Sequence, residues 1–350
     1  MVIGSRTPLP NFKKGSAGNW LSGSFIECNA INDENSEVRS YQFKDPYGGG
    51  FKYKAGQHIS ILLPLDDGEE YRTFTIASSP TRAHNITLTV KTNRPNGATA
   101  WMRENIIVGT KLIAVGPTGP FNIADHPCHK LLLICAGSGI TPMMSILRWL
   151  WDRKEDIEIT FIHYAKNPDQ FLFNDELKQI AKDYSSLTVH QISTDRPDGK
   201  TNNLPNFEQI TSLIDMTDHD VFCCGPNGFM QKIEKIVKKA GANHYYQESF
   251  GTQIKSNINS NIITNAENLT INYKGRIIEA KKGENLLAVL KKHKFIIPTG
   301  CQSGMCGTCH LKILRGSVDM NHQGGLSKAQ EDEGIILACS STITTDLTLI

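Results

Sequence analysis

Four cysteines near the C-terminus have the residue type and spacing that could bind iron. Cys301, Cys306 and Cys309 follow a C-x4-C-x2-C pattern, and Cys339 comes 29 residues later. This is the plant-type spacing of the thiolates that hold a [2Fe–2S] cluster. Glycines within the loop would let the backbone wrap closely and turn N–H groups toward sulfur. The pattern therefore predicts a [2Fe–2S] centre.

Two other uses of these cysteines fit the pattern less well. A tetrahedral zinc site usually shows two separated C-x2-C pairs, whereas this region has one. A disulfide pair is disfavoured because the chain has nine cysteines, an odd number, and its N-terminus lacks the continuous apolar run of an export signal.

The gross composition is that of an ordinary globular chain. Its 350 residues predict two or three domains, and 39% hydrophobic with 21% charged residues is a typical balance. The net charge of +2 gives no indication of nucleic-acid or anionic-membrane binding. No apolar run approaches the ~18–20 residues of a membrane helix. We therefore expect a cytoplasmic monomer in which the remaining cysteines stay reduced.

Three hydrophobic patterns follow one another along the chain. Residues 20–115 contain short strands separated by turns, which predicts a small antiparallel β-barrel. From Leu131 onward, strands alternate with helices such as Pro142–Trp151, which predicts a parallel α/β sheet. The Asn- and Ser-rich stretch 251–267 has the composition of a linker. A hairpin and a helix at Asn285–His293 then precede the cysteine loop, which predicts an α+β domain of the β-grasp type.

One strand of the predicted barrel carries residues that could hold a phosphate and a ring system. Residues 71–80 read YRTFTIASSP. Arg72 could pair with a phosphate through its planar guanidinium, Phe74 could lie against a ring, and Thr75 could hydrogen-bond a ring nitrogen. On these residues alone, a plain amphipathic strand with an exposed Arg remains an alternative.

The same strand resembles the R-x-[YF]-[ST] flavin motif of the ferredoxin–NADP reductase family. Residues 51–59 resemble that family's Gly-Gln strand, and residues 116–121 match the G-P-x-G-x-F turn of its FAD-binding members. The resemblance implies FAD rather than FMN, with the pyrophosphate at a helix N-terminus. The flavin contacts it implies are Arg72, Thr73, Phe74, Thr75, Val90, Lys91, Gly97, Ala98 and Thr99.

A glycine turn between a strand and a helix could approach a second pyrophosphate. Gly137 and Gly139 permit a tight turn and close backbone approach, and Pro142 suits a helix start. Because the third glycine of the dinucleotide fingerprint is missing, a plain strand–helix turn remains an alternative. The resemblance adds Cys224-Gly225-Pro226, similar to the family's C-G-P motif at the nicotinamide, and Phe250, the aromatic that shields the flavin.

One carboxylate bears on the choice of nicotinamide cofactor. Asp195 follows the third strand of the α/β region, where a carboxylate hydrogen-bonds a ribose 2′-OH and repels a 2′-phosphate. Arg196 beside it favours the phosphate, but NADH is expected over NADPH. The predicted nicotinamide contacts are Gly137, Gly139, Ile140, Thr141, Pro142, Asp195, Cys224, Gly225, Pro226 and Phe250. The predicted catalytic residues, nearest the hydride path, are Thr75, Cys224 and Phe250.

The order of the three predicted domains, from flavin barrel to nicotinamide domain to ferredoxin domain, resembles that of single-chain reductases of hybrid-cluster proteins and of Rieske-type oxygenases. The resemblance implies hydride transfer from NADH to FAD, then passage of single electrons to the cluster and to a protein acceptor. A cluster domain acting as a redox sensor, or an electron-transfer subunit of another dehydrogenase, remains an alternative. The predicted segments are an N-terminal extension (1–19), an FAD-binding barrel (20–125), an NAD-binding α/β domain (126–250), a linker (251–267) and a plant-type [2Fe–2S] ferredoxin domain (268–350).

Overall fold

The computed structural model describes residues 20–66, 68–92, 95–195, 204–248, 267–300, 302, 304, 306–322 and 325–350. Within these residues the chain forms two compact units. The first contains the described parts of Met1–Ile59, Phe74–Pro117 and Phe121–Phe250, and the second contains the described parts of Ser60–Thr73, Thr118–Pro120 and Gly251–Ile350. The N-terminal extension, Arg196, Phe250, Cys301 and all but the last residue of the predicted linker lie outside the described residues.

The short alternating runs form a six-stranded sheet in the region predicted to be the barrel domain. Ile86, Leu88 and Val90 alternate along one strand and are all buried, because every second side chain of a strand faces the same way. The strands are β1 (Trp20–Asp33), β2 (Val38–Lys44), β3 (His58–Leu65), β4 (Gly68–Thr75), β5 (Asn85–Lys91) and β6 (Lys111–Thr118), in the order β4-β3-β6-β1-β2-β5, with helix α1 at Ala98–Asn105.

The alternating strands and helices form a five-stranded sheet in which all neighbouring strands are parallel, as predicted. Its central strands are buried along nearly their whole length, because helices cover both faces of such a sheet. The strands are β7 (Lys130–Ala136), β8 (Glu158–Ala165), β9 (Leu187–Ser193), β10 (Asp220–Cys224) and β11 (His244–Glu248), in the order β11-β10-β7-β8-β9. The helices are α2 (Ile140–Arg153), α3 (Asn174–Asp183), α4 (Phe207–Thr211) and α5 (Asn227–Ala240).

Helix α2 begins two residues earlier than the sequence predicted. Gly139 is its N-cap, so Pro142 is the third helical residue and not the first. Proline is tolerated there because the N–H groups of the first turn have no acceptor within the helix.

The C-terminal part is an α+β domain, as predicted. Lys274 and Gly275 both have positive φ at the turn of its first hairpin, as a two-residue hairpin turn requires. The strands are β12 (Asn268–Tyr273), β13 (Arg276–Lys281), β14 (His310–Arg315), β15 (Val318–Met320), β16 (Ile335–Leu337), β17 (Ser341–Ile343) and β18 (Leu347–Leu349). The main sheet has the order β13-β12-β18-β14-β16, and the helices are α6 (Leu286–Lys292) and α7 (Lys328–Asp332).

None of the helices in the described part of the chain is long and apolar enough to span a membrane.

Candidate flavin, nicotinamide and cluster sites

The glycine turn after β7 lies directly against the end of β10. A Cβ on Gly139 would clash with the Cys224 carbonyl group and would stand 2.9 Å from the Gly225 nitrogen, so only glycine lets these backbones approach. Gly137 has φ +56°, and a Cβ there would meet nothing within 4 Å. The two glycines therefore differ in role: Gly139 allows close packing, while Gly137 faces open space. The structure brings the two predicted nicotinamide motifs together.

The start of α2 suits the phosphates of a dinucleotide. No side chain caps this 14-residue helix. The Ile140 N–H donates to carbonyls of the preceding turn, so the N–H groups that follow it in the first turn are the ones an anion could approach. The Thr141 hydroxyl donates instead to the Ser138 carbonyl, at 3.1 Å, which braces the turn. With the open space at Gly137, these features fit a nicotinamide cofactor.

Cys224 ends β10 and is fully buried. It lies between Cys135 of β7 and Glu248 of β11 in the sheet register. Burial, and then the nearby Glu248 carboxylate, raise the pKa of the Cys224 thiol well above its usual value, so the side chain is neutral. The neighbouring Cys223 packs in the hydrophobic core on the other face of the sheet from Cys224.

Asp195 comes two residues after β9, at the carboxyl edge of the parallel sheet. Its backbone N–H donates to the Lys166 carbonyl at 2.9 Å, which fixes the chain beyond the strand. In parallel sheets this edge carries the ligand crevice. The 2′-hydroxyl contact assigned to Asp195 stays a prediction.

Thr75 lies in a buried array of polar side chains. Its Oγ1 donates to Glu248 Oε2 at 2.9 Å, and Glu248 Oε1 lies 3.2 Å from His58 Nδ1. All three residues are buried. A hydroxyl, a carboxylate and an imidazole in sequence can hold or pass a proton. Sequence reasoning named neither Glu248 nor His58 as a site residue. Residues 248–250 resemble the acidic–x–aromatic ending of the ferredoxin–NADP reductase family, which contained the signal for Glu248.

Arg72 is partly exposed and already engaged. Its guanidinium forms an ion pair with Glu70 and also donates to the Tyr71 carbonyl at 3.2 Å. The hydrogen bond from Arg72 holds the pKa of the Glu70 carboxyl below its usual value. A phosphate at Arg72 would share the guanidinium with Glu70.

The start of α1 fits the phosphate contact that the sequence predicts there. Gly97 is the N-cap and no side chain caps the helix, while Ala98 and Thr99 form its first turn. Such an end attracts anions through the helix dipole.

Two other predicted flavin contacts have partners within the barrel. Val90 is buried in the barrel core, and Lys91 forms a 2.9 Å ion pair with Glu37. Their flavin contacts stay predictions.

Cys309 lies close to Cys339. Cys309 is the last cysteine of the loop that carries Cys301, Cys306 and Cys309, called the cluster loop below. The Cys339 N–H points at Cys309 Sγ, with N and S 3.4 Å apart, and the Asn285 amide donates to the Cys339 carbonyl at 2.9 Å. Hydrogen bonding with Cys339 and burial raise the pKa of the Cys309 thiol well above its usual value. A bound metal would hold such a thiol as thiolate. Asn285, the N-cap of α6, was predicted only as a helix residue.

Glycines let the cluster loop close tightly around Cys306. A Cβ on Gly300 would stand 2.9 Å from Cys306 Sγ, and one on Gly304 or Gly307 would stand 2.8 or 2.7 Å from backbone atoms of His322 or Gly325. Gly304 and Gly307 also have positive φ. The described loop therefore has no room for larger residues at these positions.

The donor set fits a two-iron cluster. Thiols of Cys306, Cys309 and Cys339 are all free of disulfides, and Cys301 lies outside the described residues. Among the described residues, no three His, Cys, Asp or Glu side chains are grouped to hold a single metal ion. A [2Fe–2S] cluster instead shares four thiolates between two irons.

Three domain families match the chain in the order of the three folded parts. Residues 26–123 match the oxidoreductase FAD-binding domain, residues 133–235 the oxidoreductase NAD-binding domain, and residues 269–344 the 2Fe-2S iron-sulfur cluster binding domain. These matches confirm the predicted cofactor classes.

Two relatives align with this chain over about nine-tenths or more of their own length. The stachydrine N-demethylase reductase subunit Stc4 of Rhizobium meliloti is 32% identical over 335 residues, which cover 92% of this chain and 95% of the relative. The NADH oxidoreductase HCR of Escherichia coli is 27% identical, over 85% of this chain and 89% of the relative.

A solved structure with the same fold is phthalate dioxygenase reductase, at a TM-score of 0.59 and 20% identity, over 93% of this chain and 97% of that one. Together with the geometry of the three sites, these relatives show that the chain belongs to the family of FAD-, NADH- and [2Fe–2S]-dependent reductases that includes the Stc4 subunit.

Proposed function

We propose that this NADH oxidoreductase is the reductase component of a Rieske-type oxygenase system, to which it passes electrons from its [2Fe–2S] cluster. The observation that carries the proposal is the presence, on one chain, of an open glycine turn for a nicotinamide and a closed cysteine loop for a cluster. The relative Stc4 is by name a reductase subunit of a demethylase, and the match covers 95% of it.

A second candidate acceptor is a hybrid-cluster protein, because the chain is also similar to the reductase HCR over 89% of that protein. A redox-sensor role for the cluster domain, or service to another dehydrogenase, is less favoured. Residues 269–344 match a complete cluster-binding domain and not a short cysteine-rich tail, which supports a relay.

When bound, the cofactors supply the redox chemistry: FAD takes a hydride from NADH, and the cluster carries electrons singly. The chain supplies position and charge. In our proposal the turn at Gly137 and the start of α2 hold the nicotinamide phosphates, Asp195 holds the ribose, and Cys224 and Phe250 border the hydride path. The proposed flavin residues are Arg72, Thr73, Phe74, Thr75, Val90, Lys91, Gly97, Ala98 and Thr99, and the proposed cluster ligands are Cys301, Cys306, Cys309 and Cys339.

The Thr75–Glu248–His58 array deepens this proposal. Its buried hydrogen bonds give a route by which a proton can be held at the Thr75 hydroxyl and passed to the Glu248 carboxylate. Such a route is useful beside a flavin because hydride chemistry leaves a proton to be released when the electrons move on.

We further propose that the protein works as a monomer in the cytoplasm. Each cofactor domain is encoded once in the chain, which supports a complete relay in one subunit. The described cysteines are all free of disulfides, as in a reducing compartment.

Replacement of a cluster ligand tests the relay. We expect Cys306→Ser to abolish NADH-dependent reduction of cytochrome c and of the oxygenase partner, while ferricyanide reduction, which can draw on the flavin, largely survives. Cys128→Ser is the matched control, a partly buried cysteine far from the cluster loop in sequence. Equal loss of both activities in Cys306→Ser would contradict the relay order. Turnover with a hybrid-cluster protein but with no Rieske oxygenase would favour the second acceptor.

A further inference from the structure

Thr73, predicted as a flavin contact, has its hydroxyl against the cluster loop. Thr73 Oγ1 donates to the Thr299 carbonyl oxygen at 3.3 Å and lies 2.7 Å from Ser60 Oγ. All three residues belong to the second compact unit. Ser60 is fully buried, Thr299 is 4% exposed and Thr73 is partly buried, so the contact has limited access to water.

The direction of these hydrogen bonds follows from counting protons. A hydroxyl has one proton to donate. Since Thr73 gives its proton to the Thr299 carbonyl, Ser60 must donate to Thr73. The two bonds point the same way from Ser60 to Thr299 and therefore reinforce each other.

The Thr73 hydroxyl also faces the same small space as a cluster thiol. A Cβ placed on Gly300 would stand 2.9 Å from Cys306 Sγ, 3.0 Å from Thr73 Oγ1 and 3.2 Å from Thr308 Oγ1. Thr308 Oγ1 in turn lies 3.1 Å from Cys306 Sγ. One backbone position, Gly300, is thus enclosed by the thiol and the two hydroxyls.

Neighbouring residues of β4 interact with the same C-terminal domain. The Lys291 charge contributes to lowering the pKa of the Glu70 carboxyl, after the larger effect of Arg72. Burial raises the pKa of Tyr71 to about 12, with a smaller contribution from Tyr273. Glu70, Tyr71 and Thr73 of β4 thus all interact with residues of this domain, and Thr73 is the one whose hydroxyl contacts the cluster loop.

We propose that Thr73 is a positioning residue for electron transfer from flavin to cluster. Its hydroxyl, supported by Ser60, fixes the backbone at Thr299–Gly300 and with it the surroundings of Cys306. In the step concerned, one electron leaves the flavin reduced by NADH and enters the oxidised cluster, and no atom passes through Thr73. This inference rests on the proposed relay, and it adds a role to a residue assigned so far only to flavin binding.

The test compares Thr73→Val, which removes only the hydroxyl, with the conservative Thr73→Ser. Thr89→Val is the matched control, because Ser40 and Thr89 form another buried hydroxyl pair with the same 2.7 Å separation. Two quantities are measured: the electron paramagnetic resonance spectrum of the dithionite-reduced cluster, which needs no flavin, and the rate of cluster reduction after mixing with NADH.

We expect Thr73→Val to shift the resonance spectrum and to slow cluster reduction by about tenfold, because loss of one buried hydrogen bond shifts the loop toward poorly placed conformations by about that factor. Thr73→Ser should restore both, and Thr89→Val should match the wild type. Ser60→Ala, a mild change at a buried site, should produce the same effects at smaller size.

A Thr73→Val spectrum and rate equal to the wild type would overturn the inference. So would loss of FAD with an unchanged cluster spectrum, since Thr73 would then act only on the flavin. A wild-type protein without any [2Fe–2S] signal would overturn the relay as well, which separates the two failures.

Discussion

Gly137, in the turn proposed to bind the nicotinamide phosphates, and the glycines of the cluster loop lie in opposite surroundings. At the turn, Gly137 has a positive φ and faces open space. In the cluster loop, Gly300, Gly304 and Gly307 would each bring a Cβ within 2.9 Å of an atom of the loop's surroundings. The turn keeps its backbone open at Gly137, whereas the cluster loop is closed around its cysteines.

The difference matches the time that each ligand spends in place. NADH must enter and leave at every turnover, so the backbone proposed to bind its phosphates has to stay accessible. A cluster remains bound, so its loop can pack to the density of a protein core. Substitutions at the two sets of glycines should therefore fail in different ways.

The largest effect is expected at the cluster loop. Gly307→Ala would require a left-handed alanine and place its Cβ 2.7 Å from the Gly325 carbonyl oxygen, so the loop should not close. We expect the purified variant to lack iron, acid-labile sulfide and cluster absorbance while keeping FAD.

Gly283→Ala is the control for this variant, since Gly283 has φ +90° in the same domain but open space around it. It should keep its cluster. A Gly307→Ala protein with full iron and sulfide content would contradict the closed-loop description.

Gly139→Ala should be the most damaging change at the turn. Its Cβ would stand 2.6 Å from the Cys224 carbonyl carbon, which forces the turn away from the end of β10. We expect a loss of about 1–3 kcal/mol in the free energy of unfolding, measured by denaturant titration. Gly228→Ala, in α5 with open space around it, should be neutral or slightly stabilising. Equal stability of the two variants would exclude the close packing.

His163 supports the turn from β8, where it pairs in register with Cys135. Burial lowers its pKa to about 4, so the fold favours the neutral imidazole. The free energy of unfolding is therefore highest above the unfolded pKa of ~6.5. It falls by up to about 3 kcal/mol as pH falls toward 4, because the unfolded chain binds a proton at His163 that the folded chain does not. His163→Gln should therefore lose less stability than the wild type between pH 6.5 and 4, whereas replacement of the exposed His84 should not change that slope. If the free energy of unfolding of His163→Gln and of the wild type changed in parallel with pH, this role would be contradicted.

Gly137→Ala should give the smallest loss of stability, and it separates the turn from the cluster loop most clearly. The substitution meets no steric contact and costs about 1 kcal/mol of left-handed strain. The added methyl group would, however, face the space proposed for the nicotinamide phosphates. We expect a cluster content equal to that of the wild type and a severalfold higher KM for NADH. An unchanged KM for NADH would show that the nicotinamide phosphates do not bind beside Gly137.

Local sequence patterns predicted most of the fold. The short strands within residues 20–115 and the alternating strands and helices from Leu131 onward lie where the hydrophobic patterns predict them. The start of α2 was placed too late because Pro142 was taken as the first helical residue. The cysteine spacing was equally informative, since it predicted the 2Fe-2S domain that residues 269–344 match.

The side-chain partners at the sites could not be predicted in the same way. Glu248 meets Thr75 across 173 positions, and Thr299 meets Thr73 across 226. Such pairs depend on how strands and loops from distant parts of the chain come together. A single sequence carries no periodic signal for them, so His58 and Ser60 went unnoticed.

The central claim is that electrons pass from NADH through the flavin to the cluster before they reach an acceptor. The most direct measurement mixes the oxidised protein with NADH without oxygen and follows flavin and cluster absorbance on the millisecond scale. We predict that flavin absorbance falls first and cluster absorbance second, with acceptor reduction following the cluster. An acceptor that is reduced while the cluster stays oxidised would contradict the account.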